Sequence, residues 1–151
     1  MRTILVVDDD ADIRQLVAEL LRLSGYETVT ADSGVEALVQ LDRDPLPSLV
    51  LLDVQMPDLD GWDTLREIRS RVSLDALPVV LCTVKSSPTD TARGWSLGCD
   101  GYVVKPFAIA DLVAEVEAVL DVDGAGRIAR REAAVAKAPA DEASRPSRSS
   151  Q

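Results

Sequence analysis

The chain is 151 residues long, 46% hydrophobic, carries a formal net charge of −10 and contains no histidine. That length suits one domain with a substantial core. The acidity speaks against a nucleic-acid surface, which needs a basic stripe along the phosphates, and the missing imidazole removes the commonest general base, the commonest transition-metal ligand and any phosphohistidine from the chain itself.

Residues 121–151 hold six basic and five acidic residues, so the first 120 carry −11 and the acidity belongs to the part expected to fold. Cys82 and Cys99 lie 17 positions apart with no CxxC pair. They read as reduced, buried small hydrophobes. The run Ile4 to Val7 is too short for a signal-peptide core, and no apolar run approaches membrane-spanning length. A soluble cytoplasmic protein with no membrane partner is expected.

Ile4-Leu5-Val6-Val7 reads as a strand buried on both faces and ends in Asp8-Asp9-Asp10. Ile13, Leu16, Val17, Leu20 and Leu21 then mark one apolar helix face, stopped by Gly25. Glu27 to Ala31 suits an edge strand. Ser33-Gly34-Val35-Glu36 has capping-box spacing and opens a helix to about Leu41, ended by Asp44-Pro45. The apolar run to Leu52 ends in a single aspartate, Asp53, after which Pro57, Asp58 and Gly61 force a loop.

Trp62, Leu65, Ile68 and Val72 mark a third helix, and Pro78 to Thr83 is another short apolar strand. Ser87 and Pro88 are the N-cap and first residue of a fourth helix. That helix is intrinsically weak, because Gly94 alone costs roughly 1 kcal/mol relative to alanine and Thr89 and Thr91 add to it. Gly101 to Pro106 is a last strand, and Ile109, Leu112, Val113, Val116, Val119 and Leu120 give an amphipathic final helix. Strand and helix alternate about five times, which predicts an α/β, doubly wound parallel sheet with helices on both faces. A helical turn or two around Arg127 to Lys137 is compatible with the sequence, but residues 122–151 lack apolar periodicity and are expected to be a disordered tail, leaving 1–121 as the folded domain.

In such a sheet the strand ends share one edge, where sites are built. They present Asp8 and Asp9, Asp53, Thr83 and Lys105. Crowded carboxylates repel unless a cation neutralises them, and hard oxygens in that number suit Mg²⁺. Lys105 supplies a point charge for an anion and Thr83 a hydroxyl donor, a set able to stabilise phosphoryl transfer to or from a carboxylate without histidine. Asp10 reads as a cap of the first helix, and Trp62 as a packing residue.

The Asp8-Asp9 pair, "LLDVQMPDLDG", "VVLCT" and "GYVVKPF" together resemble the receiver domain of two-component response regulators, over residues 3 to about 120. The resemblance implies a flavodoxin-like fold with five strands in the order 2-1-3-4-5. It implies that Asp53 accepts the phosphoryl group, that Asp9 and Asp53 bind Mg²⁺ with the backbone carbonyl of Gln55, and that Asp8 assists through water. Thr83 and Lys105 then contact the phosphoryl group and Tyr102 is the aromatic whose position reports activation. The protein reads as a stand-alone, chemotaxis-regulator-like receiver that is not an enzyme beyond its own phosphorylation and dephosphorylation. Its partners are a histidine kinase or phosphotransfer protein and an unknown downstream protein, with a phosphorylation-dependent homodimer left open.

Two departures bear on the resemblance: Val84 follows the switch threonine where Ala or Gly is common, and Gln55 and Lys85 occupy positions that in the family tune phosphoryl lifetime. The resemblance puts Trp95 on the partner-binding face, as an exposed anchor or a packed residue. The alternative is a haloacid-dehalogenase-like phosphatase, with Asp8-Asp9-Asp10 read as its Asp-x-Asp motif. It needs a late acidic pair at a strand end, and Asp111, Glu115 and Glu117 fall in a helix instead.

Overall fold

The computed structural model describes residues 2–137. Five strands, β1 (Thr3–Val7), β2 (Glu27–Ala31), β3 (Leu49–Asp53), β4 (Val79–Thr83) and β5 (Gly101–Val104), form one parallel sheet in the order β2-β1-β3-β4-β5. This is the flavodoxin-like order that the receiver resemblance implies. Helices α1 (Ala11–Leu23), α2 (Gly34–Leu41), α3 (Gly61–Ser70), α4 (Pro88–Leu97) and α5 (Ile109–Leu120) connect and flank the strands, and α6 (Gly124–Ala136) follows.

The strand alternation of period two divides the core into two layers. Leu5, Val7, Val50, Leu52, Val79 and Leu81 face α2, α3 and the inner side of α4 with Trp62, Leu65 and Ile68. Ile4, Val6, Leu49, Leu51, Val80 and Cys82 face Val17, Ala18 and Leu21 of α1 and Leu112, Val116 and Val119 of α5. Both cysteines are buried and unpaired. Burial pushes the Cys82 thiol up to about 12 and the Cys99 thiol higher still.

Capping follows the sequence. Asp10 caps α1 by accepting from the amides of Asp12 and Ile13, Ser33 caps α2 and Ser87 caps α4. Three apolar positions fall elsewhere than expected. Ile13 and Leu16 are exposed, Leu16 by 55%, because α1 seats on Val17, Ala18 and Leu21. Val72 is 90% exposed, because α3 ends at Ser70 and the following 3₁₀ turn buries Leu74.

The expectation of a disordered tail from residue 122 does not hold for its first part. Asp123 caps a 13-residue helix, α6, which lies against α4 and buries none of its own residues. Its attachment is ionic, which apolar periodicity cannot reveal. Residues 138–151 lie outside the described residues.

Candidate functional site

Asp53 is the last residue of β3, in register with Cys82 of β4, while Val7 of β1 pairs with Leu52. Each strand therefore delivers its next residue to the same edge: Asp8 beside Asp53 on one side and Thr83 on the other. The Lys105 amide donates to the Thr83 carbonyl at 2.8 Å, tying the end of β5 to that of β4. Gly61 opens α3 directly against this strand end. A Cβ there would drive into the Asp53 carbonyl oxygen and the Val54 Cα, so only glycine lets α3 start so close to the site. In the same loop Asp58 takes a φ of 63°, a left-handed conformation that aspartate tolerates.

Asp8 and Asp53 are buried, Thr83 fully so, whereas Asp9 is exposed. The Lys105 ammonium lies 3.0 Å from Asp8 Oδ2 and 3.6 Å from Asp53 Oδ2. Burial pushes the Asp53 carboxyl up to about 6; Lys105 and the Gln55 amide, which donates to Asp53 Oδ1 at 3.3 Å, oppose the rise, and Asp8 and Asp9 add to it. Burial works against the Lys105 charge, but its hydrogen bond to Asp8 and the Asp53 and Asp8 charges outweigh that and leave the ammonium raised. Asp8 is held in place by accepting the Asp10 amide at 2.9 Å, and its carbonyl accepts from Arg14 at 2.8 Å.

Asp8, Asp9 and Asp53 each offer a carboxylate oxygen within 4.8 Å of the others. Three hard anionic oxygens, two of them on buried groups, fit an octahedral dication that keeps water in its remaining positions. Lys105 alone leaves the three carboxylates with a surplus of negative charge. The Thr83 hydroxyl accepts from the Lys85 amide at 3.2 Å, which leaves its own proton to donate. Val84, next to it, is half-exposed.

Tyr102 and Trp95 lie apart from this cluster. The Tyr102 hydroxyl donates to the Lys85 carbonyl at 2.6 Å and its amide to Glu115 Oε2 at 3.0 Å. Its ring packs on Gly94 of α4, where a Cβ would come within 3.0 Å of it and 2.9 Å of Leu81, so the glycine that weakens α4 also makes room for the tyrosine. Trp95 is partly buried against the first core layer, and the Arg130 guanidinium of α6 stands 5.7 Å from the ring centroid. Of the two readings of Trp95, exposed anchor or packed residue, its burial lies nearer the second, and α6 stands beside it. The contacts of Tyr102 with Glu115 and the Lys85 carbonyl escaped the sequence reading, since they join residues distant in the chain.

The response regulator receiver domain family matches residues 4–117. Among curated relatives, the response regulator MprA of Mycobacterium leprae is 40% identical over 117 residues, covering 78% of this chain and 50% of that protein. A CpxR homologue of Haemophilus influenzae, a transcriptional regulatory protein, is 40% identical over 120 residues, covering 80% of this chain and 51% of the relative. Among solved structures, the chemotaxis protein CheY4 of Vibrio cholerae superposes with a TM-score of 0.74 at 32% identity, covering 79% of this chain and 98% of that one. The chain spans about half the length of the curated relatives it matches.

Proposed function

This chain belongs to the response regulator receiver domain family, and on that premise we propose that it accepts a phosphoryl group on Asp53 and converts that event into a change of protein contacts. It is a signalling module rather than a classical enzyme. The observation that carries the reading is the pairing of a buried Asp53 with Lys105 at 3.6 Å beside two further strand-end acids.

Asp8, Asp9 and Asp53 would hold Mg²⁺, together with the backbone carbonyl of Gln55. When bound, the cation supplies the positive charge that lets carboxylates and phosphoryl oxygens share one pocket. Asp53 attacks phosphorus with a carboxylate oxygen; a new O–P bond forms as the donor's P–N or P–O bond breaks, and the leaving group departs with that electron pair and is protonated from solvent. Lys105 pairs with one phosphoryl oxygen and the Thr83 hydroxyl donates to another. These 151 residues hold no histidine, so the phosphoryl group comes from outside them, from a histidine kinase, a phosphotransfer protein or a small phosphodonor. Output runs to a protein target or to a second phosphorylated copy, in the cytoplasm; among the described residues no helix is long and apolar enough to cross a membrane.

The phosphatase alternative needs Asp8 and Asp10 side by side as working acids. Asp10 is exposed and its carboxylate is spent on the Asp12 and Ile13 amides as a helix cap, which favours the receiver reading. The deciding test is incubation with acetyl phosphate and Mg²⁺. One hydroxylamine-labile phosphoryl group per chain is expected, absent in Asp53→Asn; full labelling of that variant, or sustained turnover of small phosphomonoesters, would overturn the assignment.

A further inference from the structure

Helix α6 is attached in an unusual way. It buries no residue, and Ile128 and Val135 point largely to solvent, yet two adjacent arginines reach deep groups of the domain. The Arg131 guanidinium meets Asp100 Oδ1 through Nε at 2.9 Å and Nη2 at 2.8 Å. Arg130 donates to the Asp100 carbonyl at 2.8 Å and to Glu115 Oε1 at 3.0 Å, and lies over Trp95.

Each acid divides its oxygens between the domain and α6. The second oxygen of Asp100 accepts from the Val79 amide and from Arg69, both at 2.9 Å. The second oxygen of Glu115 accepts from the Tyr102 amide. If α6 leaves, neither acid loses its anchor in the body, and only the oxygens turned toward α6 pass to water. The contact is therefore built to open without leaving a buried charge unpaired.

The same residues connect α6 to the acidic pocket. From Thr83 the path runs through the Lys85 amide to the Lys85 carbonyl, then to the Tyr102 hydroxyl, through the Tyr102 amide to Glu115, and on to Arg130. We propose that α6 is a latch on the α4–β5 side of the domain whose release is coupled to engagement of Thr83 by an anion on Asp53. This rests on the reading of Asp53 as phospho-acceptor. Movement of Thr83 toward such an anion displaces Lys85, whose carbonyl Tyr102 holds, and so bears on the Tyr102 ring. The ring packs closely on Gly94, and its amide hands the displacement to Glu115, one of the two groups that Arg130 holds. Among the described helices α6 has the least to lose by moving. By reciprocity, loosening α6 strengthens binding at the pocket by the same factor.

Hydrogen–deuterium exchange of the full chain, read over residues 124–136 and 109–120 with and without Mg²⁺ and beryllofluoride, tests the coupling. The expected result is several-fold faster exchange in 124–136 on adding the ligand, with 109–120 unchanged. Tyr102→Phe, which breaks the path, should exchange 124–136 faster from the start and respond little to the ligand. Arg130→Gln combined with Arg131→Gln should bind Mg²⁺–beryllofluoride more tightly. Equal exchange of 124–136 in both states, in protein whose bound fluoride is visible by NMR, overturns the proposal. Failure of Asp53 to take label from acetyl phosphate refutes the phospho-acceptor reading instead; Tyr102→Phe then still decides, since unchanged exchange in 124–136 sinks the linkage by itself.

Discussion

Each end of the sheet holds a buried aspartate, and the two are treated in opposite ways. At the amino end, Asp100 has no exposure and its two oxygens collect the Val79 amide, Arg69 and both donors of Arg131. At the carboxyl end, Asp53 has one long hydrogen bond from the Gln55 amide and an ammonium 3.6 Å away. Buried carboxylates are tolerated when their lone pairs are matched. Asp100 meets that condition and acts as a fastener for α3, β4 and α6. Asp53 has fewer fixed partners within the chain, as befits the proposed seat of a cation and a phosphoryl group.

Substitutions at these two positions should therefore move stability in opposite directions. Replacing Asp100 with alanine strands Arg69, itself mostly buried, and the Val79 amide, and should cost about 3–5 kcal/mol in urea unfolding; a loss under about 1 kcal/mol would dissolve the contrast. Asp53→Asn should instead stabilise the metal-free fold at pH 7–8, by up to about 3 kcal/mol given a carboxyl pushed up to about 6 from its ordinary 3.8. A clear destabilisation at that pH would show that Asp53 is a fastener too.

The pH dependence sharpens the same point. Because the folded carboxyl titrates above its unfolded value, the folded state holds more protons between about pH 4 and 6, so its stability falls as pH rises through that window and is flat above it. Measured in EDTA, the difference between wild type and Asp53→Asn should grow across that window and then stay constant. A difference that is flat with pH would exclude a raised Asp53. The smallest effect is expected at Arg131→Gln, which loosens α6 but leaves Asp100 with Arg69 and the Val79 amide; about 1 kcal/mol of global stability should be lost, together with faster amide exchange confined to 124–136.

The acids and Lys105 were legible because a short apolar run that stops at a polar residue announces a strand end, and parallel strands put their ends together. Asp8, Asp9, Asp53, Thr83 and Lys105 all declare themselves this way. Asp100 does not: it sits between Gly98 and Gly101 like any turn residue, and Arg69 and Arg131 each lie 31 positions away. Helix α6 was legible only as a turn or two, since arginine and alanine next to Gly124 and Gly126 carry no apolar stripe, and its attachment depends on acids of other elements. Tyr102 could be read as an aromatic near the site, but its bonds to Lys85 and Glu115 are long-range pairings that a single sequence does not encode in any local pattern.

The two buried cysteines carry a practical consequence. Burial pushes both thiols well above neutral pH and the core shields them, so neither readily offers the thiolate that alkylating reagents attack in the folded protein. A cysteine installed at the exposed Ala129 would therefore be the one reactive thiol among the described residues, and a dye or spin label could be placed on α6 without first stripping the native cysteines from the core.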